Sequence, residues 1–242
     1  MQSPLSRAPS AQTHTSISPE HTVASVLDTH PGAARVFARH KIDFCCRGQR
    51  PIAEAAERAS VPLAALVHEI ESLAVEPPSV APDLPTEALI ALIVERHHRP
   101  LDEELPRLRA LSIKVARVHG GPVNLAVADH FAALEAELVP HMDKEERVLF
   151  PLLTAGDPRS RAPITVMLEE HELVGEILRE LRQLTHDYAL PDEACGSWRA
   201  LWQGLEALEH DLHEHIHLEN NVLFPRALSP GFAIPAKTLA GR

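Results

Sequence analysis

One short pattern occurs twice in this chain: a histidine, a glutamate four residues later, and Leu-Phe-Pro beginning four residues after that. The copies start at His141 and His215 and have identical spacing. Residues i and i+4 of a helix share one face, so each copy directs an imidazole and a carboxylate the same way. The proline of each copy is expected to end its helix. Two such helices facing each other predict a transition-metal site, and most simply a two-metal site.

The composition limits the class of protein. The chain has 242 residues, of which 45% are hydrophobic, so a sizeable core can form. The formal net charge of −11 argues against nucleic-acid binding, and the 16 histidines favour metal binding. No apolar run approaches the ~20 residues of a membrane span, and no signal peptide is recognised. The three cysteines do not resemble a disulfide framework, which predicts a reduced, cytoplasmic protein.

Proline-rich stretches divide the chain. We expect a disordered tail over residues 1–19, a small helical domain over 20–74, a linker over 75–85 and a larger domain over 86–228, followed by a tail over 229–242. The small domain contains Cys45 and Cys46. Its predicted helices are Val23–Thr29, Gly32–Arg39, Ile52–Ala59 and Pro62–Leu73.

The larger domain carries four helical stretches, at about 86–118, 123–150, 162–187 and 192–224. Their short connections predict an up-down-up-down four-helix bundle, so the fold class is all-α. Apolar residues spaced by three and four mark the face of each helix that should be buried. The expected buried residues include Ala91, Val94 and Leu101 in the first helix, Val148 and Leu152 in the second, Ile164, Met167, Val174, Leu178 and Leu181 in the third, and Val222 in the fourth.

Polar residues interrupt these buried faces at similar depths, roughly 10–20 Å from one end of the bundle. They are His98, His141, Glu145, His171, His215 and Glu219. Buried polar groups often satisfy one another. Two buried carboxylates without compensating charge would, however, cost several kcal/mol each, which favours a pair of cations. Mixed imidazole and carboxylate ligands fit Fe, Mn or Zn, and carboxylate and oxygen bridges would leave an exchangeable position.

Other histidines are set aside. His97 is expected to face away from the site. His210, His213 and His217 lie off the buried face of their helix and are predicted to be exposed or beside the ligands. His119 lies three heptads after His98, about 30 Å away along a helix, and is excluded.

The adjacent Cys45 and Cys46 lie between helices, with polar neighbours. A free cysteine is often only a small buried hydrophobe. Here Arg47 is expected to raise the thiolate fraction, which favours a redox or ligand-exchanging role. Cys195 is interpreted as structural.

Taken together, these stretches resemble the RIC (repair of iron centres) family. The resemblance covers about residues 21–228 and rests on Asp43-Phe-Cys-Cys-Arg-Gly48, Ile93-Val-Glu-Arg-His-His98, His141-Met-Asp-Lys-Glu-Glu146, Met167-Leu-Glu-Glu-His171 and Leu218-Glu-Asn-Asn-Val-Leu-Phe-Pro225. It implies a hemerythrin-like bundle holding two iron ions, with four terminal histidines and with Glu145 and Glu219 as bridging carboxylates alongside an oxo bridge. Phe44 and Arg47 depart from the expected Tyr and Gly.

The resemblance also implies repair of iron–sulfur proteins damaged by nitric oxide or peroxide, with NO or O₂ as small ligands and Cys45 and Cys46 contributing to the chemistry. An alternative is a hemerythrin-like O₂ or NO carrier or sensor. A ferritin-like oxidase is less favoured, since such sites have more carboxylates. The sequence does not decide between iron donation and NO chemistry, whether the protein is an enzyme, or its oligomeric state.

Overall fold

The computed structural model describes residues 16–74 and 84–229. Most of the predicted tails and of the predicted linker, namely 1–15, 75–83 and 230–242, lies outside the described residues. The chain divides into two compact units. One contains residues up to Ile42 together with Arg50–Pro78, and the other contains Asp43–Gln49 together with residues from Ser79 onward. Within the described ranges, no helix is both long and apolar enough to span a bilayer.

The first unit contains four short helices, α1 (Val23–Thr29), α2 (Ala33–Arg39), α3 (Ile52–Arg58) and α4 (Leu63–Glu71). They agree with the predicted ranges to within two residues at each end. The Thr22 side chain caps α1 by accepting a hydrogen bond from the backbone N–H of Ser25. A small apolar core joins the helices, and its fully buried members include Val23, Val36, Phe37, Ile52, Leu66 and Ile70.

The second unit contains the predicted bundle. Helix α5 runs through Thr86–Ile93, Val94–His98 and Arg99–His119, and α6 runs through Gly121–Lys144, Glu145–Leu149 and Phe150–Thr154. Helix α7 is Arg161–Leu184, and α8 runs through Gly196–His217, Leu218–Leu223 and Phe224–Leu228. The middle segments of α5, α6 and α8 are π-helical turns. Helix α5 packs against α6 and α8, and α6 packs against α7.

Each π-helical turn is followed by a proline two residues later, namely Pro100, Pro151 or Pro225. Proline lacks a backbone N–H, and its ring clashes with the carbonyl four residues earlier in a regular helix. The extra residue of a π turn opens the helix at this point. The backbone N–H of the residue before each proline donates to the carbonyl five residues earlier rather than four, as the N–H of Phe150 does to the carbonyl of Glu145. The expectation that Pro151 and Pro225 end their helices is therefore wrong: each helix continues, to Thr154 and Leu228.

The π turns also shift the buried face by one residue. Ala91, Val94, Val148, Leu152 and Val222 were expected to be buried, but Ala91 and Val148 are exposed and the other three are half-buried. The residues that replace them in the core are Leu89, Ile93, Leu149, Leu153 and Leu223. Val94, Val148 and Val222 lie within the π turns, and Ala91 and Leu152 lie on the far side of a π turn from the regular helix on which the spacing was counted. Helix α7 has no π turn, and all its predicted core residues are buried.

Apolar side chains from all four helices close one end of the bundle. The cluster contains Leu89 and Ile93 of α5, Leu149, Phe150 and Leu153 of α6, Ile164 and Met167 of α7, and Leu218, Leu223 and Phe224 of α8. The starts of α5 and α7 thus meet the ends of α6 and α8, as up-down-up-down topology requires. Gly120, with φ of 61°, alone links α5 to α6, a conformation that favours glycine.

Candidate metal centre

The structure brings together all six side chains that the sequence predicted as metal ligands. His98 is the last residue of the π turn of α5, and His171 lies in α7. His141 and Glu145 lie one turn apart on α6, and His215 and Glu219 occupy the matching positions on α8. All six side chains are at most 2% exposed. The site is therefore in the interior of the bundle, next to the apolar cluster that closes its end.

The six side chains form two overlapping groups that share both carboxylates. One group adds His98 and His215 to the two glutamates, and the other adds His141 and His171. Within each group the potential ligand atoms lie within 4.8 Å of one another. The imidazoles are paired across the bundle, with Nε2 atoms 3.1 Å apart in the first pair and 3.0 Å apart in the second.

Each carboxylate lies between the two histidine pairs. Glu145 Oε2 is 3.5 Å from the Nε2 atoms of both His98 and His141. Glu219 uses its two oxygens separately, with Oε1 3.1 Å from His215 Nε2 and Oε2 3.2 Å from His171 Nε2. A carboxylate in this position can contribute to two neighbouring cation sites at once.

Three of the four imidazoles are oriented by a hydrogen bond at the opposite ring nitrogen. His98 Nδ1 lies 3.0 Å from Glu146 Oε1, and His141 Nδ1 lies 2.8 Å from Glu170 Oε2. His171 Nδ1 lies 2.7 Å from Asn220 Oδ1. With the proton on Nδ1, the lone pair of Nε2 is directed into the site, which is the usual arrangement for a metal-binding histidine.

The donor set fits a pair of cations. Both carboxylate oxygens of Glu145 and Oε2 of Glu219 are buried without a hydrogen-bond partner. Uncompensated buried carboxylates are strongly unfavourable, and bound cations remove that cost. Burial and the neighbouring Glu219 raise the pKa of Glu145 well above its usual range. Burial also favours the neutral form of Glu219, but His215 and His171 outweigh it and hold its pKa well below the usual value.

Two of the imidazoles, His98 and His141, are held in the neutral form that binds metals. Burial, with the charge of His171, lowers the pKa of His141 to about 4. Burial, with the charge of His215, likewise lowers the pKa of His98. Both side chains are therefore neutral near pH 7, as coordination requires.

The phenylalanines of the two Leu-Phe-Pro segments cover the site. Phe150 stacks on His98 with ring centroids 5.8 Å apart, and Phe224 stacks on His171 at 6.0 Å. On another side, a groove of about 620 Å³ runs between α5 and α6. Its lining includes His98 and its partner Glu146, together with Arg99 and Arg147. The groove thus reaches one imidazole of the centre and has charged side chains beside it.

The remaining histidines differ in position from the six. His97 is fully buried rather than turned away: its Nδ1 lies 2.8 Å from Asp211 Oδ1, and its ring stacks on His215 at 5.4 Å. The sequence missed this residue because the π turn of α5 directs consecutive residues 97 and 98 inward. His213 packs against Phe44, and His217 contacts Asn221. His119 lies outside the centre, as expected, with Nε2 3.1 Å from Cys195 Sγ.

The segment Asp43–Gln49 is fastened to α7 and to the π turn of α8. Cys46 Sγ donates to the backbone carbonyl of His171 at 3.4 Å. The carbonyl of Cys45 accepts hydrogen bonds from Asn220 at 3.3 Å and from Asn221 at 3.1 Å. Asn220 therefore bonds to the cysteine segment with its nitrogen and to a predicted metal ligand with its oxygen.

The expectation that Arg47 promotes the thiolate is wrong for Cys45. The Arg47 guanidinium binds Glu172 at 3.1 Å. Cys45 is 2% exposed, and its hydrogen bond with Cys46, together with burial, raises its thiol pKa well above the ordinary value. Cys195 shows the opposite behaviour. It is exposed, and the backbone N–H of Trp198, followed by the His119 contact, lowers its pKa to about 7.

These thiol environments predict an order of alkylation. Iodoacetamide near pH 7 should modify Cys195 first, because about half of it is thiolate at a pH equal to its pKa, whereas Cys45 should react slowly. The rate at Cys195 should rise as the pH increases through about 7. Mass spectrometry of pulse-labelled protein measures both sites. His119→Gln should raise the pH at which the alkylation rate of Cys195 is half-maximal. Modification of Cys45 before Cys195 would contradict this order.

Asn220 should support metal retention through His171. Asn220→Ala removes the acceptor at His171 Nδ1, so affinity for bound metal should fall by roughly 10–100-fold. Chelator competition on metal-loaded protein measures this change. Asn221→Ala is the matched control, because Asn221 also donates to the Cys45 carbonyl but does not bond to His171. Equal losses in the two variants would show that attachment of the cysteine segment, rather than orientation of His171, accounts for the effect.

Comparison with known proteins agrees with this geometry. Residues 90–227 match a Hemerythrin HHE cation binding domain, and residues 19–74 match a domain of unknown function, DUF542. An iron-sulfur cluster repair protein YtfE from Yersinia pseudotuberculosis serotype IB (strain PB1/+) is 40% identical over 203 residues, covering 82% of this chain and 92% of that protein. The YtfE protein of Yersinia pestis (strain Pestoides F) has the same identity and coverage. With its iron-binding hemerythrin bundle and its DUF542 region, the chain belongs to the RIC family of iron–sulfur cluster repair proteins.

Proposed function

We propose that this protein holds two iron ions and restores iron–sulfur clusters damaged by nitrosative or oxidative stress. The observation that carries the proposal is the pair of ligand groups sharing Glu145 and Glu219. The name of the Yersinia relatives, iron-sulfur cluster repair protein, gives the function class. The three cysteines are free, as a reducing compartment would keep them, and we place the activity in the cytoplasm.

Each residue of the centre has a distinct proposed role. His98 and His215 bind one iron, and His141 and His171 bind the other. Glu145 and Glu219 bridge the two, since each lies within 3.5 Å of a histidine from both pairs. Glu146, Glu170 and Asn220 keep the Nε2 atoms directed inward. No thiolate contributes, which favours iron, manganese or zinc over copper(I), and the family favours iron.

The protein surroundings control access to this centre. Phe150 and Phe224 exclude water from the end of the bundle. The groove beside His98 admits a ligand as small as NO or O₂. Bound iron would supply gas binding and electron transfer, or would itself be delivered to a damaged cluster. The Cys45-Cys46 segment contacts the backbone of His171 and is the part of the chain that we assign to exchange with an acceptor protein.

A hemerythrin-like O₂ or NO carrier or sensor is the second candidate. The observation that favours it is that all six proposed ligands come from α5–α8, so gas binding needs no residue of 16–42 or 50–74. The two candidates differ in what they require of Cys45 and Cys46. A gas carrier requires only the ligands of the bundle, whereas the proposed repair function also requires the thiols of Cys45 and Cys46 for exchange with an acceptor protein.

The di-iron proposal predicts two iron atoms per chain in protein produced with ample iron. Glu145→Ala or Glu219→Ala should lose metal while circular dichroism keeps its helical signal, because each glutamate serves both groups. His215→Ala should lose at least one iron. His213→Ala is the control: this residue lies half a turn away on α8 and packs on Phe44 instead. A single iron per wild-type chain, or equal losses for His213 and His215, would refute the assignment.

A variant without the two adjacent thiols distinguishes the repair function from the gas-carrier function. The variant with Cys45→Ser and Cys46→Ser should keep the iron of the bundle and its NO-binding spectrum, because serine preserves the backbone contacts to Asn220 and Asn221. The same variant should restore a nitrosylated iron–sulfur enzyme several-fold more slowly. Cys195→Ser is the matched thiol control and should repair normally. Repair by the double variant at the wild-type rate would favour the carrier instead.

A further inference from the structure

Three side chains of the segment Asp43–Gln49 lie together outside the dinuclear centre. Cys45 Sγ and Cys46 Sγ are 3.6 Å apart, and Asp43 Oδ1 is 3.4 Å from Cys45 Sγ. One ligand atom from each residue lies within 4.8 Å of the other two. Cys45 is buried, whereas Asp43 and Cys46 are half-buried, so one side of the cluster is open to solvent.

The separations match those around one tetrahedral metal ion. With metal–sulfur bonds of about 2.3 Å, two thiolates at the tetrahedral angle lie about 3.8 Å apart. With a metal–oxygen bond of about 2.1 Å, a thiolate and a carboxylate oxygen lie about 3.6 Å apart. The observed 3.6 Å and 3.4 Å are each within about 0.2 Å of those values.

The backbone holds this arrangement in place. Asp43 Oδ1 accepts the N–H of Cys46 at 2.9 Å and that of Arg47 at 3.3 Å, which fixes the carboxylate over the turn. Asn220 and Asn221 hold the Cys45 carbonyl. Opposite Cys46 lies Gly175 of α7, where an added Cβ would lie 3.4 Å from the sulfur, so the glycine leaves room for it.

We propose that Asp43, Cys45 and Cys46 form a second, mononuclear site for a thiophilic divalent cation such as Fe²⁺, separate from the histidine–carboxylate centre. On binding, the two thiols release their protons to solvent and the cation takes two thiolates and one carboxylate, leaving a fourth position on the open side. The donor set selects softer metals than the nitrogen and oxygen ligands of the bundle do.

The location of this second site indicates a role in iron transfer, an inference that rests on the proposed repair function. Cys46 Sγ lies 3.4 Å from the carbonyl of His171, whose imidazole faces the dinuclear centre. A cation held by the thiols would therefore be separated from iron in the bundle by the single residue His171, and it would lie close to solvent. This is the position expected of a staging site for iron as cargo.

Cobalt(II) is a suitable probe because thiolate ligation produces near-ultraviolet charge-transfer absorption, whereas the bundle ligands provide only nitrogen and oxygen. Cobalt is added anaerobically, under reducing conditions, to the full chain already loaded with iron. One equivalent should saturate the charge-transfer band. Cys45→Ser with Cys46→Ser should abolish the band without changing bundle iron, and each single variant should weaken it. Asp43→Asn keeps an acceptor for the turn but removes the charge, so cobalt affinity should fall at least about tenfold.

Cys195→Ser is the control, because Cys195 is the third thiol and has a histidine beside it. Absence of the band, its persistence in the double variant, or its loss in Cys195→Ser would overturn the proposal. These outcomes are independent of repair activity. If the chain binds cobalt at the thiols but does not restore clusters, the proposed second site stands and the proposed repair function fails. If the chain restores clusters but shows no cobalt–thiolate band, the repair function stands and the second site fails.

Discussion

Two carboxylates and four imidazoles lie in the apolar interior of this bundle, and the neutralisation of their charge is the constraint on which the rest depends. Leu149, Leu223 and their neighbours close one end of the site, so water cannot solvate the carboxylates from that side. Burial and the neighbouring Glu219 raise the pKa of Glu145, whereas His215 and His171 hold that of Glu219 low. A bound cation would offset the cost of burying these carboxylates, and the candidate ligands come from all four helices. Metal binding and helix packing are therefore coupled in this domain.

The π turns explain which parts of the bundle the sequence predicted well. In α7, the one bundle helix without a π turn, every core residue predicted from the spacing of three and four is buried in the structure. In α5, α6 and α8 the count failed in and beyond the π turn, as at Val148, where Leu149 is buried instead. A π turn inserts one residue and rotates the following face by about 100°. The prolines at 100, 151 and 225 were visible in the sequence, but Pro151 and Pro225 were interpreted as helix ends, and none of the three was taken as the sign of a widened turn.

The burial of the six candidate ligands was nevertheless predicted, because they lie on or next to the regular helix on which the spacing was counted. His141 and His215 precede the π turns of α6 and α8, and Glu145 and Glu219 are at the start of those turns, before the phase changes. Features that depend on distant partners were not accessible in this way. Glu172 lies 125 residues from Arg47 in the chain, so no local pattern indicated that the guanidinium would bind it rather than promote a thiolate. His97 was missed because its inward direction depends on the π turn itself.

The cysteine segment belongs to the bundle unit rather than to the short helices on either side of it, and this has a chemical consequence. Its contacts include a continuous hydrogen-bonded path from the Cys45 carbonyl through the Asn220 amide to His171 Nδ1. The amide has only one nitrogen and one oxygen, so its orientation is set jointly by the segment and by the imidazole. If the segment moves away, Asn220 loses one of the partners that fix it, and the hydrogen bond that orients His171 weakens. The position of the segment that carries the thiols is thereby linked to the orientation of one candidate ligand, His171.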